Sequence, residues 1–498
     1  MSIKSRAKRG ALLVHRWTGI LMGVLMALWF ASGMVMLFVG YPKLAPWERL
    51  AALPALPAQG CCVEPAALSG VERASRLVLT TIGGQPRYVM TADGHPFVFD
   101  AATGQRLPGA GPEQALASGR AFGAGAGAHY AGLVDEDRWT HSRALDPHRP
   151  LHVVELEDAA ATRVYVSSAT GQVVLDAPRA ERLWNFVGAW LHWLYMFRNQ
   201  PSDPVWTWLV IALSAVGTVS ALTGALNGIW RWRFAGRYKN GGKTPFRETA
   251  MRWHHLLGLG GGAVLLAWIF SGLMSMNPLG VFDARGARPD LAAYAGGAPG
   301  AVRPAIGVPA ALALLRDAGF APRELEWRVL GGAPYLLARD DADRTRLVLA
   351  QGGGHAVAER FADATLARAA RRLLAAPALS SERLERYDAY YYKRQEQSMY
   401  GADERRLPAL RIVYGDPGAT WVQLDPWTGE VASSLDRAQR AGRWLFNLLH
   451  SWDLPPMLDA GWLREAALLA LGLVGLLLSA TALVIGARRL RKRLGWPA

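Results

Sequence analysis

Four stretches of the chain, Trp17–Pro42, Val205–Trp230, Trp253–Phe282 and Ala466–Ala487, contain no Asp, Glu, Lys or Arg. Each can cross a hydrocarbon core, which takes roughly 20 residues at helical rise. A backbone in lipid must satisfy its own hydrogen bonds, so each stretch predicts a transmembrane helix. That excludes the string of soluble domains that 498 residues would otherwise suggest.

The formal charge of +15 is placed as topology rather than as a nucleic-acid footprint. Lys4, Arg6, Lys8, Arg9 and Arg16 precede the first span. Arg231, Arg233, Arg237, Lys239, Lys243, Arg247 and Arg252 face Glu248 alone between the second and third, and Arg488, Arg489, Arg491, Lys492 and Arg493 follow the fourth. An even number of crossings puts all three segments on one side, and the positive-inside rule makes that side the cytoplasm. The apolar run after the basic start exceeds a signal-peptide core of about 7–15 residues, which predicts an uncleaved anchor. The two large loops then lie in a periplasm outside a bacterial-type inner membrane. No nucleic-acid partner is expected; the lipid bilayer is.

The resulting division is a first transmembrane helix at 11–42, a periplasmic α+β domain at 43–181 and a re-entrant or interfacial helix at 182–199. The second helix follows at 204–230, a basic cytoplasmic linker at 231–252 and the third helix at 253–282. A second α+β domain at 283–440, a second re-entrant segment at 441–458, the fourth helix at 464–487 and a basic tail at 488–498 complete it. Cys61 and Cys62, the only cysteines, are adjacent; they form a bridge between neighbours, pair between molecules, or do neither.

The chain repeats itself. His15, Gly19, Gly23, Trp29, Ser32 and Gly33 match His254, Gly258, Gly262, Trp268, Ser271 and Gly272 at one constant offset. Pro150, Thr170, Gly171 and His192 match Pro408, Thr428, Gly429 and His450 at a slightly larger one. Both halves start on the same side, so the fold class is a four-helix membrane bundle of two parallel repeats with two α+β external domains. In those domains Pro65–Leu79 and Val308–Ala318 carry helical spacing. Arg87–Met90 with Pro96–Asp100, and Tyr335–Arg339 with Arg346–Leu349, read as strand pairs, as do the segments flanking the turns at Gly171 and Gly429.

Four of the eleven histidines fall in duplicated, membrane-associated positions: His15 and His254 at the cytoplasmic ends of their helices, His192 and His450 in the Trp-rich segments near the external face. Ionisable side chains inside a membrane are usually functional or paired. Two pairs at two depths suit axial ligation of two b-type haems, which need no covalent attachment motif. Gly19 and Gly258, each followed four residues later by Gly23 and Gly262, leave room for a flat macrocycle, although this is also the ordinary helix-packing pattern. Arg16, Arg231, Arg233 and Arg252 are available to pair with propionates. His255 neighbours His254 and is the competing ligand; the repeat favours His254.

Other features are weaker. GLGGGA at 258–263 lies inside a membrane helix rather than after a strand, which rules out a dinucleotide loop. His148 and His152 read as a solvated sheet edge sooner than a metal site. YDAYYYKRQ at 387–395 either contacts a ligand or the lipid surface or packs beneath a loop. No HExxH, GxSxG or P-loop pattern is present, so peptidase, esterase and NTPase readings lack a motif and no catalytic residue is assigned.

HRWTGILMG and HHLLGLGGG, LDPHRPLHVVEL and YDAYYY, and the ATGQ and WTGE turns resemble the PepSY-associated transmembrane-helix proteins over about residues 10–490. The resemblance implies PepSY-like external domains. Some members are haem-containing inner-membrane reductases that reduce ferric siderophores in the periplasm. By position, it implies that His15, His192, His254 and His450 are axial ligands. The expectation is a di-haem reductase passing electrons outward to a ferric chelate. The donor is external, either quinol or a cytoplasmic reductase docking on the basic linker. The rival is a membrane-tethered sensor or peptidase regulator without redox activity. A transporter comes third; it predicts polar groups near the midplane, and there are few beyond Ser32, Ser214, Thr218, Ser271 and Ser479.

Overall fold

The computed structural model describes residues 3–57, 61–198, 203–393 and 405–495. Four helices long and apolar enough to span a membrane run over Ile3–Met36, Pro204–Arg231, Thr249–Ser275 and Trp462–Leu494, so the chain is a multi-pass membrane protein whose spans require a lipid bilayer. Asp203 caps the second helix by accepting from the N–H groups of Val205 (2.9 Å) and Trp206 (3.1 Å). Glu248 caps the third through Ala250 (3.0 Å) and Met251 (2.8 Å). These carboxylates satisfy donors that every helix start leaves open.

The helical bounds differ from the charge-free runs. The first helix already begins in the basic arm and the fourth continues to Leu494, because Lys and Arg are good helix formers. The first stops at Met36 rather than Pro42. The third stops at Ser275, just before Asn277 turns left-handed (φ 45°) ahead of Pro278. The first and third helices each pack on both the second and the fourth, so the four close into a ring with the first and third diagonally opposite. Close approach needs small residues: a Cβ on Gly475 would lie 2.7 Å from the Phe30 ring.

The large loops form the domain end of the molecule; the termini and the linker form the linker end. The first loop supplies β1 (Ala74–Ile82), β2 (Gln85–Ala92), β3 (His95–Asp100) and β4 (Arg106–Leu107), then β5 (Ala128–Val134), β6 (Leu151–Leu156), β7 (Arg163–Ser167) and β8 (Val173–Ala177). The second supplies β9 (Glu324–Leu330), β10 (Ala333–Arg339), β11 (Thr345–Gln351) and β12 (Gly354–Ala358), then β13 (Ala378–Leu384), β14 (Ala409–Tyr414), β15 (Trp421–Leu424) and β16 (Val431–Leu435). The anticipated strand pairs are present as β2 with β3 and β10 with β11, and Val308–Asp317 is helical.

The helix expected over Pro65–Leu79 is not formed. That segment makes two short 3-10 turns and then enters β1. Its apolar run fits either period, because β1 is buried on both faces from Leu77 onward. Gly83 and Gly84, both at positive φ, then fold it tightly onto β2. Nor do the two loops form two separate sheet systems. β1 pairs antiparallel with β9 through Leu77–Trp327, Val78–Glu326 and Leu79–Leu325. The result is one eight-stranded sheet, β12-β11-β10-β9-β1-β2-β3-β4. Leu77, Leu79, Tyr88 and Phe99 share its core with Leu312, Leu325, Trp327 and Leu336. β5–β8 and β13–β16 form one four-stranded sheet each. Cys61 and Cys62 are joined to each other.

His152 is not at a solvated edge. β6 lies between β5 and β7, and the buried ring bonds the Tyr130 hydroxyl (3.0 Å) and the Ala110 carbonyl (2.8 Å). His148 bonds Ser167 instead (3.1 Å). In YDAYYYKRQ, Tyr391 and Tyr392 are fully buried, and the Tyr387 and Tyr391 hydroxyls donate to the carbonyls of Arg405 and Arg406 (2.8 Å each). Arg394 and Gln395 lie outside the described residues, as do residue 199 of the first re-entrant segment and residues 496–498 of the tail.

Candidate functional site

Each re-entrant segment follows the same path. Arg179–Asn185 passes into a π-helical turn at Phe186–Trp190, His192 follows, and Leu194 reverses the chain at φ 56°. Arg437–Gly442 passes into a π-helical turn at Arg443–Leu448, His450 follows, and Trp452 reverses the chain at φ 50°. Such π turns are rare and concentrate at functional sites. The first segment packs on the first spanning helix and the second on the third, so both histidines are carried to the bundle axis.

Two cavities lie along that axis. The one at the domain end is about 360 Å³ and is lined by His192, His450, Trp29, Trp268, Gly33 and Gly272. The one at the linker end is about 330 Å³ and is lined by His15, His254, Gly19, Gly23, Gly258 and Gly262. Phe30 and Ile269 line both and form the wall between them. The structure therefore brings the four candidate histidines together as two pairs across the bundle. Ring centroids are 6.1 Å apart for His15 and His254, with planes at 39°, and 6.3 Å for His192 and His450, with planes at 71°.

The anchors of the four rings agree. His15 Nδ1 donates to the Ser220 carbonyl at 2.9 Å. His254 Nδ1 lies 3.3 Å from the Leu478 carbonyl and 3.1 Å from Thr481 Oγ1, whose own proton goes to Leu478. His192 Nδ1 donates to Ser32 Oγ at 3.1 Å, because that hydroxyl gives its proton to the Leu28 carbonyl at 2.7 Å. His450 Nδ1 donates to Ser271 Oγ at 3.1 Å, and Ser271 gives its proton to the Trp268 carbonyl. In every ring Nδ1 carries the hydrogen and Nε2 the lone pair, the tautomer a metal-binding imidazole takes when its other nitrogen is held.

His255 is arranged differently. Its Nε2 donates to the Gly228 carbonyl at 2.9 Å and its Nδ1 accepts from Thr244 Oγ1 at 2.7 Å. Both nitrogens pin the linker to the second helix, which leaves His254 as the ligand-competent neighbour.

Of the arginines, Arg16 and Arg231 line the linker-end cavity, and Arg489 joins them. Arg252 does not line it; the residue is exposed, two positions before His254 on the same helix. Arg233 instead bonds the Arg237 carbonyl at 2.6 Å. Gly224 was not singled out from the sequence, yet a Cβ there would sit 2.6 Å from His15 Cε1. The larger repeat offset, which pairs it with Ala482 in the same cavity, was the available signal. The carbonyl anchors Ser220 and Leu478 carry no side-chain signature at all.

No curated protein matches the chain. The family model of the PepSY-associated TM region matches residues 12–489, nearly its whole length, and the chain belongs to that family.

Proposed function

We propose that the chain is a di-haem b-type electron-transfer protein of a bacterial-type inner membrane, with cytoplasmic termini and periplasmic sheets, that reduces a ferric chelate. The observation that carries this reading is the fourfold agreement of the histidines: two facing pairs, each ring held at Nδ1 with its Nε2 lone pair available. Ring centres 6.1 and 6.3 Å apart leave room for one metal ion between each pair, given metal–imidazole bonds of about 2 Å. Among the described residues no group of three or more His, Cys, Asp or Glu suits a metal. The two imidazoles of each pair would be the residues that hold a haem iron.

When bound, the haems supply reversible one-electron chemistry at two depths. His15 with His254, and His192 with His450, would hold and orient them. Arg16, Arg231 and Arg489 stand where carboxylate side arms at the linker end would need cations. Glycines at 19, 23, 258 and 262 keep the faces of that cavity open. Phe30 and Ile269 exclude water between the centres. With both centres held in this way, electrons would enter at the linker end from quinol or a cytoplasmic reductase and would leave at the domain end.

The anchors also support the duplication. Ser32 and Ser271 are equivalent under one repeat offset, Ser220 and Leu478 under the other, and each pair holds equivalent histidines. The test is the absorption spectrum of the detergent-purified chain, oxidised and dithionite-reduced, with haem quantified per chain. Two low-spin haems are expected. A colourless protein from haem-replete cells would overturn the reading and favour the sensor.

A further inference from the structure

The two halves differ sharply in what flanks the domain-end cavity. In the first half its wall includes Trp193, Tyr195 and Trp206. The repeat offsets place Ser451, Asp453 and Arg464 at these positions in the second half, and Gly280 at the position of Tyr41. There the chain builds a polar clamp. Asp453 Oδ1 meets the Arg443 guanidinium at 2.5 Å, and Arg464 donates to the carbonyls of Ser451 and Trp452. The aromatic side is contiguous. Trp206 and Tyr195 have ring centroids 5.4 Å apart, Tyr195 and Trp193 5.5 Å, and Trp193 stacks on Tyr41 at 5.4 Å with planes at 18°. Tyr41 and Tyr195 both reach His141, at 6.1 and 4.8 Å. All lie within the range of aromatic contact.

His141 belongs to the 135–142 loop, where its Nδ1 is held by Glu136. Arg138 on the same loop is exposed, with its guanidinium 5.7 Å from the Phe186 ring and 6.0 Å from the Trp190 ring. The Tyr41 hydroxyl is buried and has no hydrogen-bond partner among the described residues. What this position gives its neighbours is therefore its ring.

The geometry points to a one-sided outlet: electrons leave the domain-end cavity through Trp206, Tyr195, Trp193 and Tyr41, and an oxygen-rich ferric chelate accepts them against the 135–142 loop, where the exposed Arg138 guanidinium can donate hydrogen bonds to its oxygens. This rests on the haem reading. Each turnover would move one electron: the centre that His192 and His450 would hold would go from Fe(II) to Fe(III), and the chelated iron from Fe(III) to Fe(II). No bond to the protein forms. Packed rings carry electronic coupling across a distance that water or a saturated gap would interrupt. The second half offers Ser451, Asp453 and Arg464 at the same positions, with Asp453 engaged in the ion pair with Arg443.

The experiment compares full-length wild type, Tyr41→Leu, Trp206→Leu, Tyr41→Phe and Arg138→Glu. Haem content and reduced spectra come first: if the wild type has no haem, the parent reading fails, whatever the outlet does. With haem intact, reoxidation by an iron(III) trihydroxamate is followed by stopped flow, and binding of the redox-inert gallium(III) trihydroxamate by calorimetry. Tyr41→Leu and Trp206→Leu are expected to slow reoxidation by an order of magnitude with gallium-chelate binding unchanged. Tyr41→Phe should retain the wild-type rate, and Arg138→Glu should weaken binding of the gallium chelate. Wild-type rates in both leucine variants would overturn the outlet. A Tyr41→Phe variant as slow as Tyr41→Leu would overturn the role of the ring, and unaltered binding in Arg138→Glu would overturn the docking site.

Discussion

Ser32 Oγ holds His192 Nδ1 at 3.1 Å, and the repeat-equivalent Ser271 holds His450 at the same distance. Each hydroxyl is itself oriented by a carbonyl of its own helix, so a neutral side chain fixes both the tautomer and the direction of a ring that belongs to another segment.

Removing that hydroxyl tests the anchor without touching the ligand. Losses of this kind cost about 10–100-fold in metal affinity or activity. Ser32→Ala or Ser271→Ala is expected to loosen the domain-end haem by that factor and leave the linker-end haem in place. Haem retained per chain after dilution, with a potentiometric titration of the two centres, measures it.

His254→Ala and His255→Ala separate ligand from linker pin. The first should remove the linker-end haem. The second should retain both haems but lower thermal stability by about 1–3 kcal/mol, because the Thr244 hydroxyl and the Gly228 carbonyl lose their partner. Haem stoichiometry and melting in detergent distinguish them.

Gly224→Ala should displace His15, since the added methyl would meet the ring at 2.6 Å and the second helix backbone cannot yield as a side chain does. The expected spectrum is that of a protein with the domain-end haem alone.

Arg443 and Asp453 form a buried pair, 4% and 0% exposed, and the guanidinium also lies 4.2 Å from the Tyr392 ring. Breaking such a pair on one side destabilises by about 3–5 kcal/mol. Arg443→Met should therefore lower the melting temperature strongly, and Arg443→Met with Asp453→Leu should recover part of the loss.

Burial, with Asp176 and Glu48 close by and Lys43 opposing, pushes the Glu181 carboxyl up to about 7. Burial with Glu48 nearby pushes Asp176 up to about 6. The folded chain thus holds protons that the unfolded chain releases from about pH 4. Stability contributed by these groups falls as pH rises from there through about 7. Melting temperature should decline between about pH 4 and about pH 7, and Glu181→Gln should flatten the decline.

The spans and the paired histidines were legible because absence of charge and self-similarity are properties of side chains in order. β1 was misread as helix because a strand buried on both faces has no alternation to display. Its pairing with β9 joins residues 250 positions apart, Arg76 and Glu326 forming an ion pair at 3.1 Å beside it, and no local pattern announces such a contact. The histidine anchors divide similarly: Ser32 and Ser271 stand in the repeat, whereas Ser220 and Leu478 act through carbonyls that every residue possesses. Arg489 looked like one more tail charge until the fourth helix carried it to the cavity.

The ladder between β1 and β9 has a mechanical consequence. Carriers made of two repeats work by swinging one against the other around a fixed site. Here Leu77, Val78 and Leu79 are laced to Trp327, Glu326 and Leu325, and the lacing is sealed in a common core. Halves sewn together in this way would act as a chassis, and the proposed cargo, an electron, would cross it without any door having to open.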